Sequence, residues 1–267
     1  MTLSIVTVIH DSAAHLTRLL DSLDAHAPGR QVIVVDSGSS DDGARIARER
    51  GAEVVDLPHN PGFGAGNNAG IARARHDVTA LLNPDVELLD DGLLRLAERA
   101  KPGTLTFPRL LNPDGSVQDT AHPLPGTRGE ILRAFLPARI APQPYRATST
   151  TTVGWAIAAA LVAPTATLRA TPFDEDAHLF YEELDLCLRA RCELHPDVAL
   201  RHVGGHSTGA DRLALEARRR REVVAERLGP AALRRDDLAQ AITFARAGVR
   251  SRRARAQLRA LWVARRA

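Results

Sequence analysis

Two hydrophobic periods alternate along the first hundred residues. Residues 3–9 form an apolar, β-rich run, and Leu16, Leu19, Leu20 and Leu23 follow at helical spacing, with Asp11 and Ser12 as candidate caps. The pattern predicts a strand and then a helix. It recurs in residues 31–35, a strand ending at Asp36, followed by the turn Ser37-Gly38-Ser39-Ser40-Asp41 and a short helix over 44–50 closed by Gly51. A third strand is predicted over 52–57. The glycine-rich stretch from Asn60 to Asn68 then opens a helix reaching about Arg75. The uncharged run Val78-Thr79-Ala80-Leu81-Leu82 reads as a buried fourth strand that displays Asn83-Pro84-Asp85 where it ends. Strands alternating with helices imply an α/β fold with a mainly parallel central sheet flanked by helices. Ligands of such sheets bind at the carboxyl ends of the strands.

Regularity weakens beyond a helix over 92–100 and a strand over 104–107. Asp114-Gly115 between apolar residues predicts a hairpin turn within 110–117. Residues 119–152 are rich in Pro, Arg and Thr with little periodicity and read as a mobile loop or lid. A buried run at 153–162, a helix over 182–191 and a strand over 198–203 follow, then a turn at Gly204-Gly205. After Gly229-Pro230, Leu238, Ile242, Ala245 and Val249 share one helical face.

The 267 residues, 44% hydrophobic and 25% charged, are those of a soluble globular protein, which excludes disordered and fibrous classes. The longest nearly uncharged apolar run, 153–163, is about half the length that spans a bilayer. The N-terminus carries no basic segment before its apolar run, so neither a secretion signal nor a spanning helix is expected. Cys187 and Cys192 suggest neither a disulfide scaffold nor a four-ligand zinc site, and a cytoplasmic location is the simplest expectation. The net charge of +3 conceals an asymmetry: residues 212–267 carry about 16 Arg against 5 acidic residues. An acidic body carries a basic tail.

Three groups of residues could carry chemistry. Glycine amides of the Asn60–Asn68 stretch could approach phosphates, yet Gly62, Gly64, Gly66 and Gly70 do not match a dinucleotide fingerprint, and a glycine turn before a helix is the plainer alternative. Glu182, Glu183 and Asp185 at a helix start could complement the helix dipole. Alternatively Glu182 or Glu183 points into a cleft and takes a proton from an alcohol. His202, at a strand end before Gly204-Gly205-His206, is either structural or, with an aspartate and a diphosphate, part of an octahedral site for magnesium or manganese.

The order of these motifs resembles glycosyltransferase family 2. It runs from Val34-Val35-Asp36-Ser37-Gly38-Ser39-Ser40-Asp41 through Asn60 to Gly70, Leu82-Asn83-Pro84-Asp85 and Phe180-Tyr181-Glu182-Glu183-Leu184-Asp185-Leu186 to His202. Within the family, rhamnosyltransferases of cell-wall or surface-polysaccharide assembly are the nearest likeness, and the likeness spans about residues 3–208. It implies a GT-A fold over 1–210, with a nucleotide-sugar part at 1–109, an acceptor and catalytic part at 110–210, and a basic helical extension at 211–267. It implies inverting transfer from a nucleotide diphosphate sugar assisted by a divalent metal, Mg or Mn. dTDP-rhamnose is the favoured donor, a UDP-sugar the alternative, and the acceptor is a glycan or lipid-linked hydroxyl. Asp36 would contact the base, and Thr7, Ser39, Asn60, Gly62, Gly66, Asn67, Asn68 and Asn83 would line the donor site. Asp85 matches the second aspartate of the family's Asp-x-Asp motif, and His202 matches a metal ligand of some relatives. Glu183 matches the general base, where the family most often has Asp.

The basic tail reads either as a solvated helix face or as a surface that holds the enzyme at an anionic membrane, with Leu261 and Trp262 as anchors. Nucleic acid binding is disfavoured, because stacking aromatics are scarce. A nucleotidyltransferase on a related fold is a rival, as is a nucleotide-sugar-binding protein with a degenerate site, motivated by Asn83 and Glu183.

Overall fold

A computed structural model describes residues 3–137, 140–141, 143–176, 180–204 and 210–265. His206 lies outside the described residues. The strands are β1 (Leu3–Ile9), β2 (Gln31–Ser37), β3 (Glu53–Leu57), β4 (Val78–Leu82), β5 (Val86–Leu88), β6 (Thr104–Leu111), β7 (Ala121–His122), β8 (Thr151–Val153), β9 (Trp155–Ala156), β10 (Ala160–Pro164) and β11 (Arg191–His202). The helices are α1 (Ala13–His26), α2 (Gly43–Glu49), α3 (Phe63–Arg73), α4 (Gly92–Glu98), α5 (Arg128–Phe135), α6 (Thr165–Ala170), α7 (Glu182–Leu188), α8 (Ala210–Gly248) and α9 (Arg252–Ala264). The chain divides into two compact units, residues 1–121 with 145–204, and residues 122–144 with 205–267.

The first unit is built on one sheet in the order β3-β2-β1-β4-β10-β6-β11-β5, with β8 added to β11. β3, β2, β1 and β4 are parallel, as the alternation of strands and helices predicts. The other half is mixed: β10 runs antiparallel to β4 and β6, β11 parallel to β6, and β5 antiparallel to β11. β1 pairs Ile9 with Asp36 and Val6 with Leu81, so the carboxyl ends of β2, β1 and β4 share one edge. Leu16, Leu19 and Leu23 of α1 are fully buried among Leu3, Ile5, Leu93 and Leu96, the helical spacing having set the buried face. Ser12 stands at the N-cap of α1 but does not cap it with its side chain. Asp41, arriving from the next loop, accepts from the Ala13 amide at 2.7 Å instead.

The second unit differs from the expected partition. Residues 122–144, within the stretch read as a loop, cluster with the C-terminal helices, and α5 starts there. Thr127 accepts from the Glu130 amide at 3.1 Å while the Glu130 carboxylate accepts from the Gly126 amide at 2.6 Å, which is reciprocal N-terminal capping. α8 breaks at Gly229, whose φ of 80° suits glycine before Pro230. The expected apolar face is not the buried one: Leu238 of α8 is 49% exposed, Ile242 is half-buried and Val249, just past the helix, is 80% exposed, whereas Asp236 and Asp237 are buried. Arg220 holds Asp236 through bonds of 3.0 and 2.7 Å, and Arg221 holds Asp237. Buried carboxylates need such partners, and these pairs fix which side of α8 is inside. Leu261 is also buried, which removes it as a membrane anchor, while Trp262 is half exposed.

Candidate active site

Asp85 leaves β4 just ahead of β5, and β5 pairs with β11 so that Val86 faces His202. This register brings Asp85 Oδ1 to 3.4 Å from His202 Nε2. Asp85 Oδ2 accepts from the Gly204 amide at 2.9 Å, and the Asp85 carbonyl accepts from the Val203 amide at 3.1 Å. Burial pushes the Asp85 pKa up. The hydrogen bond and charge of His202, with the Gly204 amide, outweigh it and leave the carboxyl below its ordinary value.

Gln118 settles which face of the imidazole is available. Its amide Nε2 donates to the His202 carbonyl at 2.7 Å, a bond only the nitrogen end can make. The Oε1 end therefore faces His202 Nδ1 at 2.8 Å and must accept, so Nδ1 carries a proton. Nε2 is then the nitrogen turned toward Asp85. Two donors on adjacent vertices of an octahedral magnesium or manganese site lie about 3 Å apart, so the Asp85 and His202 pair fits a divalent ion. Among the described residues no cluster of three or more His, Cys, Asp or Glu gathers around a common point.

The strand-end loops beside β1 and β2 brace one another. Asp36 Oδ1 accepts from the Ser39 amide at 2.9 Å, Ser39 Oγ accepts from the Asp11 amide at 3.1 Å, and Asp11 Oδ1 accepts from the Ser40 amide at 2.7 Å. His10 Nδ1 lies 2.9 Å from the Ser37 carbonyl. Asp36 and Ser39 thus sit at the carboxyl edge of the sheet. So does Asn83, whose backbone amide donates to the Ala159 carbonyl at 2.8 Å.

The glycine-rich stretch is explained differently from the expectation. Asn60 accepts from the Gly62 amide at 3.0 Å in the turn that starts α3. A Cβ on Gly66 would lie 2.8 Å from Val8, and one on Gly70 would lie 2.3 Å from Val6. These two glycines, four apart on one helical face, let α3 approach β1 closely; their spacing answers to packing. Asn67 is buried, and its amide donates to the Phe63 carbonyl of its own helix at 2.9 Å. Asn68 binds the Phe173 carbonyl and the Glu175 carboxylate, both at 2.9 Å, and accepts from the Phe173 amide at 3.0 Å. Thr7 is fully buried within β1. Thr7, Gly66 and Asn67 therefore present no surface to a donor, against the expectation. Asn68 joins α3 to the segment before α7.

α7 reaches the same region through β9. Asn83 bonds Ala159, Cys187 of α7 bonds the Ala156 carbonyl at 3.8 Å, and the Trp155 ring lies 5.9 Å from that of Tyr181. Phe180 and Tyr181 enter α7 with φ of 75° and 63°, a conformation that costs non-glycine residues energy and persists where packing enforces it. Of the acidic trio that follows, Glu182 and Asp185 are buried and Glu183 is half-buried. Asp185 Oδ2 is held by Arg189 at 2.9 and 2.7 Å, and Arg189 also donates to the Pro172 carbonyl at 2.7 Å. Asp185 is tied into the loop before α7. Glu183 is the member with access to solvent.

His10 and Gln118 were not singled out by sequence reasoning, and Asp11 and Gly204 were read only as a helix cap and a turn residue. Gly204 follows a histidine at a strand end, which was a usable sign: its φ is 60°, and a Cβ there would lie 3.2 Å from the imidazole of His202. Nothing in the sequence ties Gln118 to His202, 84 residues away.

Residues 4–149 match the model of the family described as Glycosyl transferase family 2. The chain is 30% identical over 240 residues to the N-acetylglucosaminyl-diphospho-decaprenol L-rhamnosyltransferase of Mycobacterium tuberculosis, covering 78% of each protein. A mannosyltransferase from Pyrobaculum calidifontis, solved with GDP-Man and Mn2+, superposes with a TM-score of 0.60 at 13% identity, covering 96% of this chain and 78% of that one. Glucosyl-3-phosphoglycerate synthase from Mycobacterium tuberculosis, solved with Mg2+ and uridine-diphosphate, gives 0.57 at 20% identity, covering 85% and 79%. These two likenesses show the fold, the GT-A α/β architecture.

Proposed function

The chain belongs to glycosyl transferase family 2 and is a glycosyltransferase, and from that premise we propose that it inverts the anomeric centre of a nucleotide diphosphate sugar, dTDP-rhamnose in the favoured case, onto a hydroxyl of a lipid-linked glycan acceptor. The observation that carries the metal-assisted part of this reading is the Asp85 and His202 pair, 3.4 Å apart at the carboxyl edge of the sheet. Asp85 and His202 would hold the magnesium or manganese ion, which when bound supplies positive charge against the diphosphate. Glu183 takes the proton of the acceptor hydroxyl as that oxygen attacks the anomeric carbon on the face opposite the nucleotide, while the bond from that carbon to the diphosphate oxygen breaks and the nucleoside diphosphate leaves. A positioned base typically contributes about 10²–10⁴-fold. Asp36 and Ser39 receive the nucleoside, and Asn83 lines the donor site.

The rhamnose preference follows from the likeness to the mycobacterial rhamnosyltransferase, and the name of that relative supports a polyprenyl diphosphate sugar as acceptor. Such an acceptor places the work at an anionic membrane surface, which the arginine-rich C-terminal residues suit. The test is transfer from dTDP-rhamnose, UDP-sugars and GDP-mannose to a short-chain polyprenyl diphosphate sugar with Mg2+ or Mn2+. Product from dTDP-rhamnose above the others is expected. Equal or greater product from another donor would overturn the rhamnose assignment.

A further inference from the structure

Large apolar side chains left in water are concentrated in the second unit. Leu124, Leu132, Phe135, Leu136, Ile140, Leu238, Val249, Trp262 and Val263 are all exposed there, against Leu89, Val117 and Val203 elsewhere among the described residues. Singly exposed leucines need no explanation, but a contiguous set does. Leu132 and Phe135, three apart, share one face of α5, opposite the Glu130 and Ala134 side that packs on α8, and Leu136 follows at the C-cap. Arg246 donates to the carbonyls of Ala134 and Leu136 at 2.5 and 2.9 Å. That clasp sets the end of α5 beside the last turn of α8, just ahead of the exposed Val249.

Charge identifies the occupant. Residues 238–267 contain eight arginines and no acidic residue. On α9, Arg252, Arg259 and Trp262 are exposed at helical spacing, while Arg255 donates to the Gly248 carbonyl, and the Arg265 guanidinium lies 5.1 Å from the Trp262 ring centre. A second copy of this chain would bring like charges together, whereas an anionic lipid surface accepts apolar side chains among its acyl chains and pairs the arginines with its headgroups. No described helix is long and apolar enough to cross a membrane, so the contact is one that lies on the bilayer. We infer that the α5, α8 and α9 surface of the second unit, with Leu132, Phe135 and Leu136 as inserted side chains and Arg252 and Arg259 as headgroup contacts, docks the protein on an anionic bilayer. The inference deepens the lipid-linked acceptor reading and rests on it for its biological purpose.

Flotation of the full chain with vesicles of phosphatidylcholine, or of phosphatidylcholine with one-third phosphatidylglycerol, tests it without donor or acceptor present. Wild type should float with the anionic vesicles and be released by high salt. Leu132→Ser with Phe135→Ser, and separately Arg252→Ser with Arg259→Ser, should each lower the bound fraction about tenfold. Both variants should keep the wild-type unfolding temperature and wild-type hydrolysis of a soluble donor, since the substituted side chains are exposed. Equal binding to neutral vesicles, no flotation, or unchanged flotation of both variants would overturn the proposal. So would a wild-type dimer that Leu132→Ser with Phe135→Ser converts to monomer. Because donor hydrolysis is read separately, its loss in wild type would count against the glycosyltransfer reading and leave the docking result standing.

Discussion

Gln118 holds His202 at both ends of its amide, donating to the His202 carbonyl at 2.7 Å and accepting from Nδ1 at 2.8 Å. A residue far away in sequence therefore decides that Nε2 is the nitrogen turned to Asp85. Outer partners of this kind commonly change metal affinity by about 10- to 100-fold when removed. Gln118→Leu should weaken Mn2+ binding within that range in a titration followed by electron paramagnetic resonance, and saturating Mn2+ should restore most of the turnover. Unchanged Mn2+ affinity would show that Gln118 does not orient the ligand.

Gly204 supplies the amide that fixes the other oxygen of Asp85, at a φ of 60° and with His202 against its Cα. Alanine there must adopt a left-handed conformation, at a cost of roughly 1–2 kcal/mol, and must displace the imidazole. Gly204→Ala is expected to lower thermal stability by a few degrees and to weaken Mn2+ binding as well. A variant that lost stability alone would place the role of Gly204 in the turn and not in the site.

The acidic trio of α7 divides into separate roles. Glu183→Gln should lose about 10²-fold or more in kcat while donor affinity, read by thermal shift, stays within about twofold. Asp185→Asn should instead lower the unfolding temperature, because it weakens the bond to Arg189 that ties α7 to Pro172. Full turnover in Glu183→Gln would move the base to Glu182.

Glu130 gives the second unit a pH dependence of definite sign. Burial and the neighbouring Asp236 raise its pKa to about 7, against the pull of Arg220 and the Gly126 amide. The folded state then keeps a proton that the unfolded chain releases near pH 4.5, so this contribution is present below that pH and is lost as pH rises toward 7. Glu130→Gln, which mimics the protonated acid, should match wild type near pH 5 and exceed it in urea-unfolding stability at pH 8. Equal stability at pH 8 would contradict the shift.

β1, β2 and β4 were legible because each is an apolar run buried in the sheet, and β3, a half-buried edge strand that carries Glu53 and Asp56, was legible from its place between two helical stretches. Asp85 and His202 were legible as strand-end residues, but their meeting depends on β5 pairing with β11, a register that no local pattern encodes. α5 was missed although Thr127 and Glu130 stand at capping-box spacing, since the prolines on either side outweighed them. The outward turn of Leu238 and Val249 could not be read either. The apolar spacing was real, but the ion pairs of Arg220 with Asp236 and Arg221 with Asp237 determine which side of α8 is buried.

The most direct measurement is release of dTDP from dTDP-rhamnose in the presence of acceptor, for wild type and Asp85→Ala, with Mn2+ or with EDTA. Wild type should turn over with Mn2+ and stop with EDTA, and Asp85→Ala should fall by at least about a hundredfold with Mn2+. Turnover that is indifferent to EDTA, or near-wild-type turnover by Asp85→Ala, would contradict metal-assisted transfer at this site.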